Sequence, residues 1–295
     1  MSNPRPPVCS YEGSDYQTSF WEQGKRSYED QVEAVALKKL LPAGGRLLLE
    51  LGAGAGRNTP RYQGYDHVIL LDYALTQLQQ AQARLGNDPR YRFVVADVYQ
   101  LPFVPGLFDA ATMIRTLHHM ADAPRALQEI AHVLQSQATF ILEFANKKNL
   151  KAIVRYLLRR QSWNPFNLDP VEFAELNFDF HPVAIKTWMT QAGFKIERTL
   201  TVSHFRIGLV KHMLPLPWLV RLDSWLQGTG NWFQFTPSVF MQARMAQAHL
   251  PATSGAFFCC PICKSFPLLE KEDACHCTSC GKNWPIVNGI YIFRE

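Results

Sequence analysis

Two stretches of the 295-residue chain place reactive residue types at spacings that chemistry can use. Near the C-terminus, Cys260-Pro-Ile-Cys263 and Cys277-Thr-Ser-Cys280 form two Cys-x-x-Cys pairs separated by 13 residues. The thiolates of one such pair can reach a single ion, and four together give the closed tetrahedral site that structural zinc prefers. A redox role fits less well, because so short a tail has little core of its own and metal binding supplies folding energy. Cys259 and Cys275 are spare thiols, and Cys9 stands apart from the other six cysteines. The second stretch is Leu47-Leu48-Leu49-Glu50-Leu51-Gly52-Ala53-Gly54-Ala55-Gly56. An apolar strand running into closely spaced glycines lets the backbone turn tightly and lets a ligand lie against it. A dinucleotide fingerprint begun at Gly52 needs glycine or alanine at 57, where Arg57 stands, and one begun at Gly54 needs it at 59, where Thr59 stands. Both registers fail.

The elements that must position these residues follow a regular rhythm. Short apolar bursts occur at Arg46 to Leu51, Val68 to Leu71, Arg92 to Ala96, Phe108 to Ile114 and Thr139 to Phe144, with helical stretches at Leu75 to Leu85 and Pro124 to Leu134. Apolar strands alternating with helices predict βαβ units and a parallel sheet covered on both faces. A helix is expected to open at Ser27, which can cap it, with Glu29 and Asp30 at the positive end of its dipole, and to stop at Pro42 and the Gly44-Gly45 pair. Later sequence is less regular. Lys147 to Arg160 predicts a two-faced helix, with Lys147, Lys151, Arg155 and Arg159 at four-residue steps and Leu150, Ile153, Val154, Leu157 and Leu158 elsewhere on the cylinder. The expectation is a solvated cationic face with the apolar side packed inward; an anion or membrane-surface site is the alternative. Further elements are expected at Val183 to Ala192, Lys195 to Phe205 and Ser238 to Arg244, the last two separated by an aromatic, proline-containing insertion from Gly208 to Pro237.

The form acid-x-Gly-x-Gly-x-Gly, with Glu50 as the acid, resembles motif I of the class I S-adenosylmethionine-dependent methyltransferases, in a branch similar to methyltransferase type 11. Asp72, at the end of the second burst, lies about 20 residues after the loop, where a carboxylate can accept hydrogen bonds from both ribose hydroxyls. Phe93-Val94-Val95-Ala96-Asp97, followed by Val98, matches the motif in which an acid meets the adenine amino group. Leu117-His118-His119-Met120 after the fourth burst resembles the small-molecule branch. The resemblance implies an α/β, Rossmann-like doubly wound fold with a mostly parallel seven-stranded sheet and helices on both faces. It implies S-adenosylmethionine as cofactor, held by Glu50, Gly52, Gly54, Gly56, Asp72, Asp97 and Val98. One departure stands out: Leu134-Gln135-Ser136-Gln137-Ala138 replaces the Pro-Gly-Gly turn usual before the fifth strand. The cysteine tail, including Trp284 to Ile290, resembles the zinc ribbon related to the zinc-binding activator subunit of translation-related methyltransferases. A similar finger precedes the catalytic domain of ribosomal RNA guanine methyltransferases, whereas here it follows. The expected organisation is a lead and candidate substrate cap at residues 1–26, a methyltransferase domain at 27–250 with lid insertions around 147–182 and 207–237, and a zinc ribbon at 256–295.

Methyl transfer from a sulfonium is an in-line displacement, so the protein must align the reactants and exclude water. A base is needed only where the acceptor must lose a proton. His118 and His119 are the candidates, since their loop opens beside the cofactor; holding Met120 and the next helix start is the alternative role. Arg115 could orient an anionic acceptor and Glu143 and Asn146 could line the site, but a purely structural role is the favoured expectation for each. The acceptor pocket is expected from Tyr16, Phe20 and Trp21, from Arg160 to Pro182, and from Trp218, Trp225, Trp232 and Phe233, which suits an apolar or planar molecule; an ordinary lid core is the equal alternative for these aromatics. The leading reading is a methyltransferase acting on a small, largely apolar or aromatic acceptor. The competing readings are an RNA base methyltransferase gripping RNA through the ribbon and the basic helix, and a non-enzymatic zinc-ribbon binding protein. The ribbon could also recruit a protein partner. Composition agrees with a folded chain: 47% hydrophobic and 19% charged residues exclude disorder, and a net charge of +5 permits an anionic partner without demanding one. Leu209 to Leu226 is interrupted by Lys211, His212, Pro215, Pro217, Arg221 and Asp223, too often for a spanning segment. Met1 to Ser10 has three prolines and no apolar signal core, so the cytoplasm is the expected location.

Overall fold

The computed structural model describes residues 5–14, 19, 21, 23, 26–206, 214–247 and 255–294. Helix α1 (Ser27–Leu40) leads into strand β1 (Gly45–Leu51), and β2 (Tyr65–Asp72), α2 (Leu75–Leu85), β3 (Tyr91–Val95), β4 (Phe108–Met113), α3 (Ala123–Val133) and β5 (Leu134–Ala145) follow in alternation. Strands β3, β2, β1, β4 and β5 lie side by side in that order, all parallel. Their apolar runs are buried on both faces. Along β1, Leu47, Leu49 and Leu51 enter one core and Leu48 enters the other. Each such side chain contributes roughly 1.5–3 kcal/mol by leaving water.

Beyond β5 come α4 (Leu150–Leu157), the hairpin β6 (Val171–Ala174) and β7 (Asn177–Asp179), α5 (Pro182–Gln191), β8 (Phe194–Val202), α6 (Leu216–Leu226) and β9 (Ser238–Met245). Strand β9 inserts antiparallel between β5 and β8, completing seven strands. The sheet does not stop there. The tail strands β10 (Leu269–Glu270), β11 (Ala274–His276), β12 (Asn283–Val287) and β13 (Ile290–Ile292) form an antiparallel meander whose last strand pairs parallel with β3. The expected seven-stranded sheet is therefore corrected to eleven strands, because the otherwise unpaired edge of β3 is a template for further pairing. The tail also shares the core: Phe258, Trp284 and Phe293 join the cluster of Val94 and Leu101, and Ile290 joins that of Phe93.

Three local expectations change. Ser27 is the first helical residue rather than the cap; Arg26 occupies the cap position and makes no side-chain cap bond. In the segment that replaces the Pro-Gly-Gly turn, Gln137 takes φ 65°, the left-handed conformation a glycine would adopt without strain. Helix α4 buries only Ala152, and its apolar stripe points outward. No helix among the described residues is long and apolar enough to cross a membrane.

Candidate functional site

The carboxyl ends of β1, β2, β3 and β4 converge on a cavity lined by Gly52, Gly54, Leu71, Asp72, Ala96, Val98 and Thr116. At Gly52 the backbone has φ 67°, and a Cβ there would stand 2.1 Å from Thr116 Oγ1, so no other residue fits. Gly54 N–H donates to Asp72 Oδ2 at 2.8 Å and Ala74 N–H to Oδ1 at 2.9 Å. Burial raises the Asp72 carboxyl, and these backbone donors draw it back. Each Asp72 oxygen keeps a second lone pair for a ligand hydroxyl. Gly56 is elsewhere: its φ is 72° and a Cβ would press on Leu85 and Ala81 of α2, so it serves loop packing.

Two other expected cofactor residues sit differently from the cavity walls. Glu50 lies beneath the glycine loop, where its carboxylate accepts bonds from Thr59 Oγ1 at 2.6 Å and the Tyr62 hydroxyl at 3.2 Å. Burial pushes its carboxyl up to about 7 despite those donors. Asp97 is buried, and its oxygens accept from Tyr99 N–H at 2.9 Å and from Arg5 Nε at 2.6 Å.

Arg5 belongs to a strap that closes the cavity. Val8, Cys9 and Tyr11 complete its lining. The strap is pinned at several points: Val8 bridges Met120, Tyr11 OH meets His119 Nε2 at 3.1 Å, and the Glu12 carboxylate accepts the N–H groups of Leu75 and Thr76 at the start of α2. Burial works against the Glu12 charge, yet these N–H groups and Arg294 hold its carboxyl at about 2. Sequence alone presents residues 1–26 only as a lead and candidate substrate cap; which residues pin the strap is not legible in it, because they follow neither helical nor strand periodicity.

His119 lines the cavity, and its Nδ1 lies 3.1 Å from the Leu176 carbonyl oxygen. That contact assigns the proton to Nδ1, so Nε2 accepts from the Tyr11 hydroxyl. The His118 ring is 3.9 Å from that of His119, and His118 is not among the lining residues. Burial lowers both imidazoles, keeping them neutral. Arg115 also lines the cavity; its guanidinium pairs with Glu33, and its N–H donates to Glu143 Oε2 at 2.9 Å. Burial works to raise the Glu33 carboxyl, but Arg115 and Arg57 hold it below its ordinary value. Glu143 is further bonded by Ser238 Oγ at 2.6 Å and does not face the cavity. Asn146 ties the Gln234 and Thr236 carbonyls to the end of β5. Trp21 lies over the guanidinium of Arg57, 3.6 Å from ring centroid to Cζ, while Tyr16 and Phe20 fall outside the described residues. Trp218, Trp225, Trp232 and Phe233 line no wall of this cavity and are exposed.

In the tail, the sulfurs of Cys260, Cys263, Cys277 and Cys280 all lie within 4.8 Å of one another. The two knuckles repeat one geometry. Lys264 N–H bonds Cys260 O at 2.8 Å and Gly281 N–H bonds Cys277 O at 2.9 Å, with Lys264 at φ 57° and Gly281 at φ 73°. The Cys260–Cys280 and Cys263–Cys277 sulfur separations are 3.7 and 3.5 Å. A tetrahedron with bonds of about 2.3 Å has edges of about 3.8 Å, so the donor set fits a zinc-sized ion. Cys259 turns away, its thiol 3.1 Å from Phe103 O, and Cys275 is buried outside the cluster.

Residues 49–142 match the family model described as a methyltransferase domain. The chain carries an S-adenosylmethionine-dependent methyltransferase domain. It is 27% identical over 180 residues to a demethylmenaquinone methyltransferase of Clavibacter sepedonicus, covering 56% of this chain and 72% of that one. It is 34% identical over 123 residues to a 2-phytyl-1,4-naphtoquinone methyltransferase of Nostoc punctiforme, covering 39% of this chain and 54% of the relative. The fold is shared with a complex between the Haloferax volcanii Trm112 methyltransferase activator and a methyltransferase, at TM-score 0.55 and 16% identity, covering 79% of this chain and 96% of that one. The cavity at the carboxyl edge of the methyltransferase sheet is thus the candidate cofactor site.

Proposed function

We propose that this methyltransferase acts on a small, largely apolar acceptor and that its C-terminal tail holds one structural zinc. The observation that carries the reading is the convergence of Gly52, Gly54, Asp72 and Val98 on one cavity. Bound there, S-adenosylmethionine supplies an electrophilic methyl group. Asp72 would hold the ribose hydroxyls, Gly52 and Gly54 would admit the cofactor against the backbone, and Asp97 would meet the adenine amino group after Arg5 yields that oxygen. The strap from Arg5 to Ser14 would exclude water from the transfer. His119, neutral at pH 7, serves as base only when Tyr11 leaves its Nε2.

The relatives' quinone substrates support an apolar acceptor for this chain. RNA is the weaker reading: the tail joins the sheet at β13 beside β3, whereas α4 follows β5, five strand spacings or about 24 Å across the sheet, so one short RNA segment would have to span both grips. Calorimetry tests the site. Wild-type protein is expected to bind S-adenosylmethionine, and Asp72→Ala to weaken that binding about tenfold or more, the worth of one hydrogen bond to a charged group. Absence of binding in the wild type, or equal affinity in the variant, overturns the assignment. Radiolabel from the methyl group should enter the organic-soluble fraction of a cell extract; label in RNA instead sinks the acceptor reading.

A further inference from the structure

Helix α4 is amphipathic but faces the wrong way for a packed helix. Leu150, Val154, Leu157 and Leu158 form its stripe, and Leu157 is 69% exposed. The segment after α6 meets its start at Phe235 and carries Trp232, 76% exposed, and Phe233, 61% exposed. The two segments form one surface. Leu150 N–H bonds Phe235 O at 2.8 Å, and the rings of Phe233 and Phe235 stack 6.1 Å apart. Asn146, which follows β5 directly, fastens Gln234 and Thr236 to it, so the surface flanks the carboxyl edge where the cavity opens.

Exposed apolar area of this extent calls for a cover. The charge pattern selects which. No acidic residue occurs from Phe144 to Leu168 or from Ser224 to Leu250, whereas Lys151, Arg155, Arg159 and Arg160 are exposed along or just beyond the apolar stripe. Aliphatic side chains suited to acyl chains, a tryptophan suited to the headgroup boundary, and cations without neighbouring acids match an anionic lipid surface. RNA would use the cations but leave Leu150, Leu157 and Leu158 bare.

We propose that α4 and the Trp232–Phe235 segment dock this protein on an anionic lipid membrane. Where the methyl-transfer reading holds, the surface delivers to the cavity an acceptor that partitions into lipid. Docking itself is read without cofactor or acceptor, so it fails or stands independently of that reading.

The test is co-sedimentation of the full chain with phosphatidylcholine vesicles, with and without phosphatidylglycerol. Binding should favour the phosphatidylglycerol vesicles and weaken with added salt. The double variant Leu157→Asp, Leu158→Asp should lose about tenfold or more, and Lys151→Glu or Arg155→Glu about fivefold each. All four side chains are exposed, and calorimetric binding of S-adenosylmethionine should survive in each variant as evidence of folding. The proposal is overturned by failure to sediment with either vesicle or by binding that none of the variants changes. It is equally overturned by RNA binding without vesicle binding, or by a stable dimer that Leu157→Asp splits while vesicles are ignored.

Discussion

Around the cavity the chain satisfies itself, while around α4 it does not. Asp72 and Asp97 each accept two bonds and Glu12 three from their own fold, and the strap covers the glycine loop. Twelve or so residues past β5, Leu157 and Leu158 stand in water beside unopposed cations. Buried polar groups must be bonded within the chain because water cannot reach them, whereas an apolar surface can be left for something outside to cover. On the readings proposed above, the difference separates the part of the molecule that would hold a fixed cofactor from the part that would meet a membrane.

The largest disturbance to the closed side should come from the tail. Replacing Cys277 with Ser removes one of four converging thiolates, and with it the order of β11 to β13 against β3. We expect loss of one bound zinc and a fall of several kcal/mol in stability, about 10 °C in the unfolding midpoint. Cys259→Ser, outside the cluster, should cost only about 1 kcal/mol. Metal analysis with calorimetric melting checks both; a metal-free wild type, or equal midpoints for the two variants, rejects the zinc site.

A pH dependence comes next in size. The buried Glu50 carboxyl, pushed from 4.5 to about 7, binds its proton more tightly in the folded chain than in the unfolded one. Its contribution is therefore complete below pH 4.5 and is lost as pH rises through 7. The loss amounts to about 3 kcal/mol, and Glu50→Gln, neutral throughout, should flatten the curve by that amount. Denaturant titrations from acid to pH 8 measure it, and parallel curves for the two proteins would place the titrating group elsewhere.

Glu50 also shows where sequence reading reaches its end. Strands buried on both faces announce themselves as apolar bursts, so β1 to β5 were visible, as was the loop that places Gly52 and Asp72. Which way a residue beside that loop points was not visible: Glu50 turns down to Thr59 and Tyr62, and Gly56 turns to α2. Amphipathicity likewise revealed the two faces of α4 but not that both stand exposed, because that depends on what lies beneath the helix. Helix α6 was hidden in a segment rich in proline and aromatics, and the tail strands, two to five residues long, are too short for periodicity to register.

The smallest expected effect ties the tail to the cavity. Arg294, just past β13, donates to the Tyr73 carbonyl and to Glu12 Oε2, both at 2.6 Å. Tyr73 lines the cavity, and Glu12 anchors the strap by capping α2. The tail therefore props the wall and the cover of one site through a single guanidinium. This ion pair is partly exposed, so its worth is below about 1 kcal/mol. Arg294→Ala should raise the dissociation constant for S-adenosylmethionine about two- to fivefold without changing zinc content. Glu12→Gln should do the same, and the double variant should weaken binding by less than the product of the two, since both remove one interaction. Calorimetric titration of the three variants decides it. Multiplicative losses would mean that the tail and the strap act on the cofactor separately, and that closure of the cavity does not depend on the tail.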